Sequence, residues 1–324
     1  MGAVREQLRQ LGEIGRDLWE WSRRNPLPAF LLAASVGTIV YFFGFLPLYA
    51  NRAQSIWTWA WMRFLPQYNQ EHSKLIPLIV LFLVWYHRHE IRKAPKQGNN
   101  FGLIFLAVGI LCYVIGARAL QARVAIFGFP FLVLGTVLFL WGKRVARILL
   151  FPTALLFFMT PLGAIEQTTF RLQFLIIDTV TTLSRLFGMG IYPVGTSLYP
   201  PSGDWGFDIA EGCSGIRSLI AMVMITAVYV HICEPKLWKK ITILCFSVLF
   251  AIIGNAGRIF MIIVVAKFGY PKLAGGLYHD WSDWVFFPIA LLAMYGFAKL
   301  LNVNFKGLLT RKRAKEKEAV VYDY

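Results

Sequence analysis

Long apolar runs separated by short clusters of Lys and Arg restrict this chain to a helical membrane bundle. Crossing a hydrocarbon core takes about 20 mostly apolar residues in helical form. Runs of that kind occupy 27–48, 74–87, 101–117, 122–141, 145–162, 214–233, 239–267 and 283–302. The expected fold is therefore an all-α polytopic membrane protein with about eight transmembrane helices. The run at 74–87 is short. The run at 239–267 is long enough to tilt or to extend beyond the lipid. Composition agrees: apolar residues make up 57% and charged residues 15%, against roughly 45–50% and about 25% in soluble chains. The net charge of +16 would suit a nucleic-acid ligand on a soluble protein. Here the charges fall between apolar runs, which is the positive-inside pattern. The bilayer is the expected partner and nucleic acid is not.

Lys and Arg placement also sets direction. Arg5, Arg9, Arg16, Arg23 and Arg24 precede the first run. Alternate connections then carry Arg88, Arg92, Lys93 and Lys96; Lys143, Arg144 and Arg147; Lys236, Lys239 and Lys240; and a tail with Arg311, Lys312, Arg313, Lys315 and Lys317. The intervening connections hold only scattered residues such as Arg118 and Arg123. The clustered set is expected in the cytoplasm, with both termini there. The charged, amphipathic first 26 residues do not resemble a cleavable signal, so the run after them reads as an anchor. The expected organisation is a cytoplasmic segment at 1–26, one transmembrane domain at 27–302 and a basic cytoplasmic tail at 303–324.

The outer side carries two features. Residues 49–72 hold Trp57, Trp59, Trp61 and Phe64 beside Arg63, an interfacial aromatic pattern. The longest connection, 163–213, begins with apolar residues at helical spacing over 165–187, interrupted by Arg171, Asp178 and Arg185. This predicts an amphipathic helix on the outer leaflet or re-entering it. Its second half is rich in Gly, Pro, Tyr and Ser, and Pro200-Pro201 and Ser202-Gly203-Asp204 are turn chemistry. A short β-hairpin pairing 191–198 with 205–209 is expected there.

Ionisable groups within apolar runs are costly and so are candidates for function. The block Ala210-Glu211-Gly212-Cys213-Ser214-Gly215-Ile216-Arg217-Ser218 stands at the start of the sixth run. A cysteine at a helix N-terminus feels the positive end of the macrodipole, which favours thiolate. The free N–H groups of the first turn could also hold an oxyanion. The plainer reading of Cys213 is a small residue permitting close helix packing. Arg258, in Asn255-Ala256-Gly257-Arg258, lies about 13 Å below Lys267 at ~1.5 Å per residue. At that depth reaching back to the headgroups is strained, so an inward-facing role is expected; the guanidinium offers a permanent charge and a fork of donors. His279, in Tyr278-His279-Asp280-Trp281, could exchange protons near neutral pH, or it could be a surface loop residue. Glu211 and Asp208 read as solvated loop carboxylates or auxiliary acids. His72, His87, His89 and His231 match no metal-ligand spacing, and no cofactor or metal is expected. Cys112, Cys233 and Cys245 read as apolar packing, and Cys213 and Cys233 are too far apart along one helix to pair. The Lys and Arg pattern puts Cys213, Arg258 and His279 on one side, around the last three runs.

At these residues the sequence resembles the exosortase/archaeosortase family of membrane sorting enzymes. The resemblance rests on Glu211-Gly212-Cys213-Ser214-Gly215-Ile216-Arg217-Ser218, on Asn255 and Arg258, and on His279 before the last run, in that order. Glu71-His72-Ser73-Lys74-Leu75-Ile76-Pro77 also looks like the family's polar entry to the second span, in altered form. The resemblance implies a cysteine protease or transpeptidase. Its substrates would be secreted proteins with a C-terminal tail of short motif, transmembrane helix and basic end; in bacteria the motif is often Pro-Glu-Pro. It implies Cys213 as nucleophile, His279 as general acid/base and Arg258 as oxyanion or substrate holder, with Ser214, Arg217 and Asn255 auxiliary. Two other classes stay open on the residues alone: a transporter or channel using Arg258 to bind an anion, and a haem-bearing redox protein.

Overall fold

The computed structural model describes residues 15–16, 19–49, 54–65, 70–160, 164–209 and 215–303. The chain forms two compact units, 1–163 and 164–324. Helix dominates both, as expected for a polytopic membrane fold. Among the described residues, five helical stretches are long and apolar enough to cross a membrane: Pro26–Phe45, Ala122–Met159, Ile216–Cys233, Leu237–Lys267 and Trp284–Leu301. Two apolar stretches, His72–Tyr86 and Gly102–Arg118, are shorter.

In the first unit, α1 (Pro26–Val40) runs into a π-helical turn at Tyr41–Phe45. A short antiparallel pair follows, β1 (Pro47–Tyr49) with β2 (Gln54–Ser55). The expected interfacial segment is a helix, α2 (Ile56–Arg63). Ser55 caps it by accepting a hydrogen bond from the Thr58 N–H (3.2 Å), which satisfies one of the helix's orphan donors. Trp57 and Trp61 are exposed while Ile56 and Phe64 are buried, so one face is anchored and the tryptophans are presented outward.

The short second run is α3 (Ile76–Tyr86), extended at its start by a 3₁₀ turn at Glu71–Lys74. After α4 (Arg88–Lys93) come α5 (Gly102–Arg118) and α6 (Ala122–Leu155). These last two pack antiparallel along a glycine seam. A Cβ on Gly102 would lie 2.7 Å from the Gly135 carbonyl oxygen, and one on Gly128 would lie 2.8 Å from that of Gly109. At Gly116 a Cβ would lie 2.7 Å from the Ala125 nitrogen. Lipid offers no hydrophobic drive between helices, so close backbone packing through small residues takes its place. Cys112 packs its Cβ against Gly128, in line with its reading as a packing residue.

At ~1.5 Å per residue, α6 would be about 51 Å long, well beyond a ~30 Å hydrocarbon core. It is not one straight helix. Gly142 breaks it with φ 84° and ψ −176°, at the boundary read from the sequence between 122–141 and 145–162. The Gln97 carbonyl occupies the place a Cβ would take at Gly142, so only glycine fits both the dihedral and the contact.

In the second unit, α7 (Ala164–Leu186) is the amphipathic helix anticipated at 165–187. Ile176, Ile177, Val180 and Ser184 are buried, while Arg171, Asp178 and Arg185 are exposed. The expected two-part hairpin is a three-stranded antiparallel sheet of β3 (Tyr192–Val194), β4 (Ser197–Tyr199) and β5 (Phe207–Asp208). The anticipated pairing survives as Leu198 opposite Phe207. The stretch 191–198 also folds back on itself, because Gly195 takes φ 62° in a two-residue turn of the kind that hairpins favour. Ile191, Leu198 and Ile209 join Ile176, Ile177, Ile259 and Ile263 in one apolar cluster, and the Gln173 side chain donates to the Ile209 carbonyl.

Three further long helices follow among the described residues: α8 (Ile216–Cys233), α9 (Leu237–Lys267) and α11 (Leu277–Leu301), with the short α10 (Pro271–Gly275) between the last two. Buried Glu234 accepts from the Asn302 side chain, and Asn302 in turn accepts from Lys239. This clamp ties the α8–α9 turn to the end of α11.

Candidate active site

Among the described candidates, Asn255 and Arg258 lie where the start of α8 meets the middle of α9. Gly215 turns the chain into α8 with φ 77°, a left-handed conformation that L side chains avoid. Its carbonyl accepts the Leu219 N–H (2.9 Å) and the Ser218 hydroxyl (3.0 Å). The bare Cα matters as much as the dihedral. A Cβ on Gly215 would lie 2.5 Å from Nδ2 and 2.7 Å from Cγ of Asn255. Glycine therefore lets the start of α8 seat directly on the Asn255 carboxamide.

Asn255 and Arg258 belong to a buried stripe on α9 that includes Ser247, Ala251, Ile259 and Ile262. The spacing of three and four residues keeps them on one helical face. Arg258 is 3% exposed and Asn255 6%, so the guanidinium is directed into the bundle rather than toward a headgroup layer. An arginine at the centre of a membrane helix costs about 2.5–3.5 kcal/mol on insertion scales. A buried arginine in such a helix is therefore a candidate for function.

Opposite lies α11. A Cβ on Gly254 would come within 2.8 Å of the Ala290 Cβ, which brings the two helices close at that level. Between α8, α9 and α11 sits a small cavity of about 10 Å³, room for about one water molecule. Ser218 and Met222 line it from α8, Asn255 and Arg258 from α9, and Phe286 and Ala290 from α11. The arrangement offers a fixed cation, a carboxamide and a hydroxyl around a pocket the size of one oxygen atom.

Arg217 stands half-buried in the first turn of α8. His279 lies in the first turn of α11. Cys213, Ser214 and Glu211 fall outside the described residues. Asp208 is exposed in β5 and accepts a hydrogen bond from Thr196 (2.7 Å), so it serves the sheet. His87 lies 3.2 Å from Glu90 in its own turn, and His72 is buried. Among the described residues, no three His, Cys, Asp or Glu side chains cluster.

Sequence reasoning passed over Ser282, which is 2% exposed on α11, one turn after His279. A polar residue three positions from a candidate histidine, within an aromatic stretch, was the available signal. It also passed over Phe286 and Ala290, whose apolar character made them look like ordinary span residues.

A family model described as transmembrane exosortase (Exosortase_EpsH) matches residues 59–296, well over half of the chain. No curated protein matches the chain, and neither does any solved structure.

Proposed function

The chain belongs to the transmembrane exosortase family, and on that premise we propose that it is a membrane-embedded cysteine protease or transpeptidase. Its substrates are secreted proteins with a C-terminal sorting tail of the Pro-Glu-Pro type. It cuts them at the outer face of the cytoplasmic membrane, with both of its own termini in the cytoplasm. The observation that carries the proposal is the seating of Gly215 on Asn255, one turn from buried Arg258. Cys213 stands two residues before Gly215, so its Cα is tethered within about 7 Å of that contact by chain length alone. His279 is in the first turn of the helix whose Phe286 and Ala290 wall the same cavity. Seven residues, close to two helical turns, separate His279 from Phe286, which puts both positions on one face of α11.

Each residue has a definite role. The Cys213 thiolate attacks the carbonyl carbon of the scissile peptide bond. Arg258 and the N–H groups at the start of α8 stabilise the resulting oxyanion. His279 donates a proton to the departing amine, and the C–N bond breaks to leave a thioester on Cys213. Water or an acceptor amine then gives its proton to His279 and attacks the thioester, and the thiolate leaves. Asn255 holds the start of α8 in place, and Arg217 and Ser214 are auxiliary groups beside the nucleophile. Co-expression with a tail-bearing secreted substrate tests this. Cys213→Ala is expected to abolish cleavage, and Arg258→Lys to cut it by about 10²–10³-fold, as for loss of an oxyanion donor. Unchanged cleavage in Cys213→Ala would overturn the proposal.

A further inference from the structure

The first unit contains a much larger cavity, about 540 Å³, whose lining includes none of the residues proposed for catalysis. Ala34, Ser35 and Thr38 of α1 form one wall; Tyr113 of α5 with Leu132 and Thr136 of α6 form the other. Its volume falls within the ~300–1,000 Å³ typical of small-molecule sites. The α1 wall lies outside residues 59–296, which the family model covers.

The lining identifies the occupant. Among the described residues, the cavity lining carries no charged side chain. Two of its hydroxyls are already spent: Tyr113 donates to the Phe42 carbonyl (3.1 Å) and Thr136 to the Leu132 carbonyl (2.8 Å). The rest of the lining is almost wholly apolar, which suits hydrocarbon better than a polar ligand. Phe43 is 5% exposed and packs on both Tyr113 and Phe129, with ring centroids 5.2 and 5.6 Å apart. These rings and the π-helical turn close one end. What fits is a single flexible hydrocarbon chain, which the surrounding bilayer supplies in abundance.

We infer that the cavity between α1 and the α5–α6 hairpin is a binding site for one acyl chain of a membrane phospholipid. The seated chain completes the packing of α1, whose other face is exposed.

Photocrosslinking tests the inference. The full-length protein is placed in nanodiscs of phosphatidylcholine with a diazirine in one acyl chain, and adducts are mapped by mass spectrometry. Labelling is expected to concentrate on 31–43 and 106–114 over the exposed α3 residues Leu78 and Leu81. Ala34→Phe, which fills the cavity, is expected to lower that labelling about tenfold, equivalent to ~1.4 kcal/mol of lost binding. Uniform labelling of all lipid-facing helices in the wild-type protein would overturn the inference, and that reading needs no variant to fold. So would preferential labelling of 31–43 by a diazirine-bearing transmembrane peptide, with no such preference by the lipid.

Discussion

Gly215→Ala separates a contact from a conformation. Two glycines in the second unit have nearly the same positive φ: Gly215 at 77° and Gly203 at 70°. Placing alanine in that region costs roughly 1–2 kcal/mol at either site. Nothing lies within 4 Å of a Cβ built on Gly203, whereas one on Gly215 would stand 2.5 Å from Asn255 Nδ2 and 3.0 Å from its Cβ. The overlap cannot be relieved by rotating an exposed tip, since Asn255 is 6% exposed. Either α8 lifts off α9 or the carboxamide is expelled. The added strain is of the order of 1–3 kcal/mol, as for overpacked cores, so Gly215→Ala should cost about 2–5 kcal/mol in total. Both variants are assayed for thermal unfolding in detergent and for processing of a co-expressed tail-bearing substrate. Gly203→Ala should lower stability slightly and leave processing near wild type. Gly215→Ala should reduce processing by at least about 100-fold, because misplacement of a catalytic group by ~1 Å costs that much. Equal processing by the two variants would refute the role assigned to the Gly215–Asn255 contact.

Asn255→Ala, which removes the carboxamide without adding bulk, should lower processing about tenfold or more while the protein stays folded, read by the same co-expression assay. Gly142→Ala should prevent normal accumulation in the membrane, since it meets both a strained dihedral and the Gln97 carbonyl; expression measured by immunoblot checks this. Gly128→Leu should destabilise by ~1–3 kcal/mol through separation of α5 from α6, seen as a lower midpoint in thermal unfolding. Single cysteines introduced at exposed Ser202 and Lys236 should differ in labelling by a membrane-impermeant maleimide on intact cells, Ser202 reacting and Lys236 protected. The reverse pattern would invert the proposed topology.

Most of the helical plan was legible because lipid imposes a simple rule: the backbone must satisfy its own hydrogen bonds, and apolar length reports it. Amphipathic α7 was visible for a related reason, since Arg171, Asp178 and Arg185 recur on one face. The third strand was not legible. Folding 191–198 into β3 and β4 depends on the left-handed state of Gly195, which a local pattern does not reveal. Inward-facing Arg258 followed from its depth alone. The seating of Gly215 on Asn255 did not, because a close approach between helices forty residues apart leaves only a glycine as its trace. The apolar cavity beside α1 was equally silent. Its lining residues have the character of any span, and only packing distinguishes a gap from a contact.

The most direct test is capture of the covalent intermediate. Full-length protein in membranes is mixed with a tail-bearing substrate, quenched in acid and digested, and the peptide containing Cys213 is analysed by mass spectrometry. A hydroxylamine-sensitive thioester joining Cys213 to the substrate's newly formed C-terminus is expected, lost in Cys213→Ala and accumulating if the second step is slowed. Complete substrate processing in Cys213→Ala membranes, with no adduct on the wild-type protein at any time point, would contradict thiol catalysis at this site.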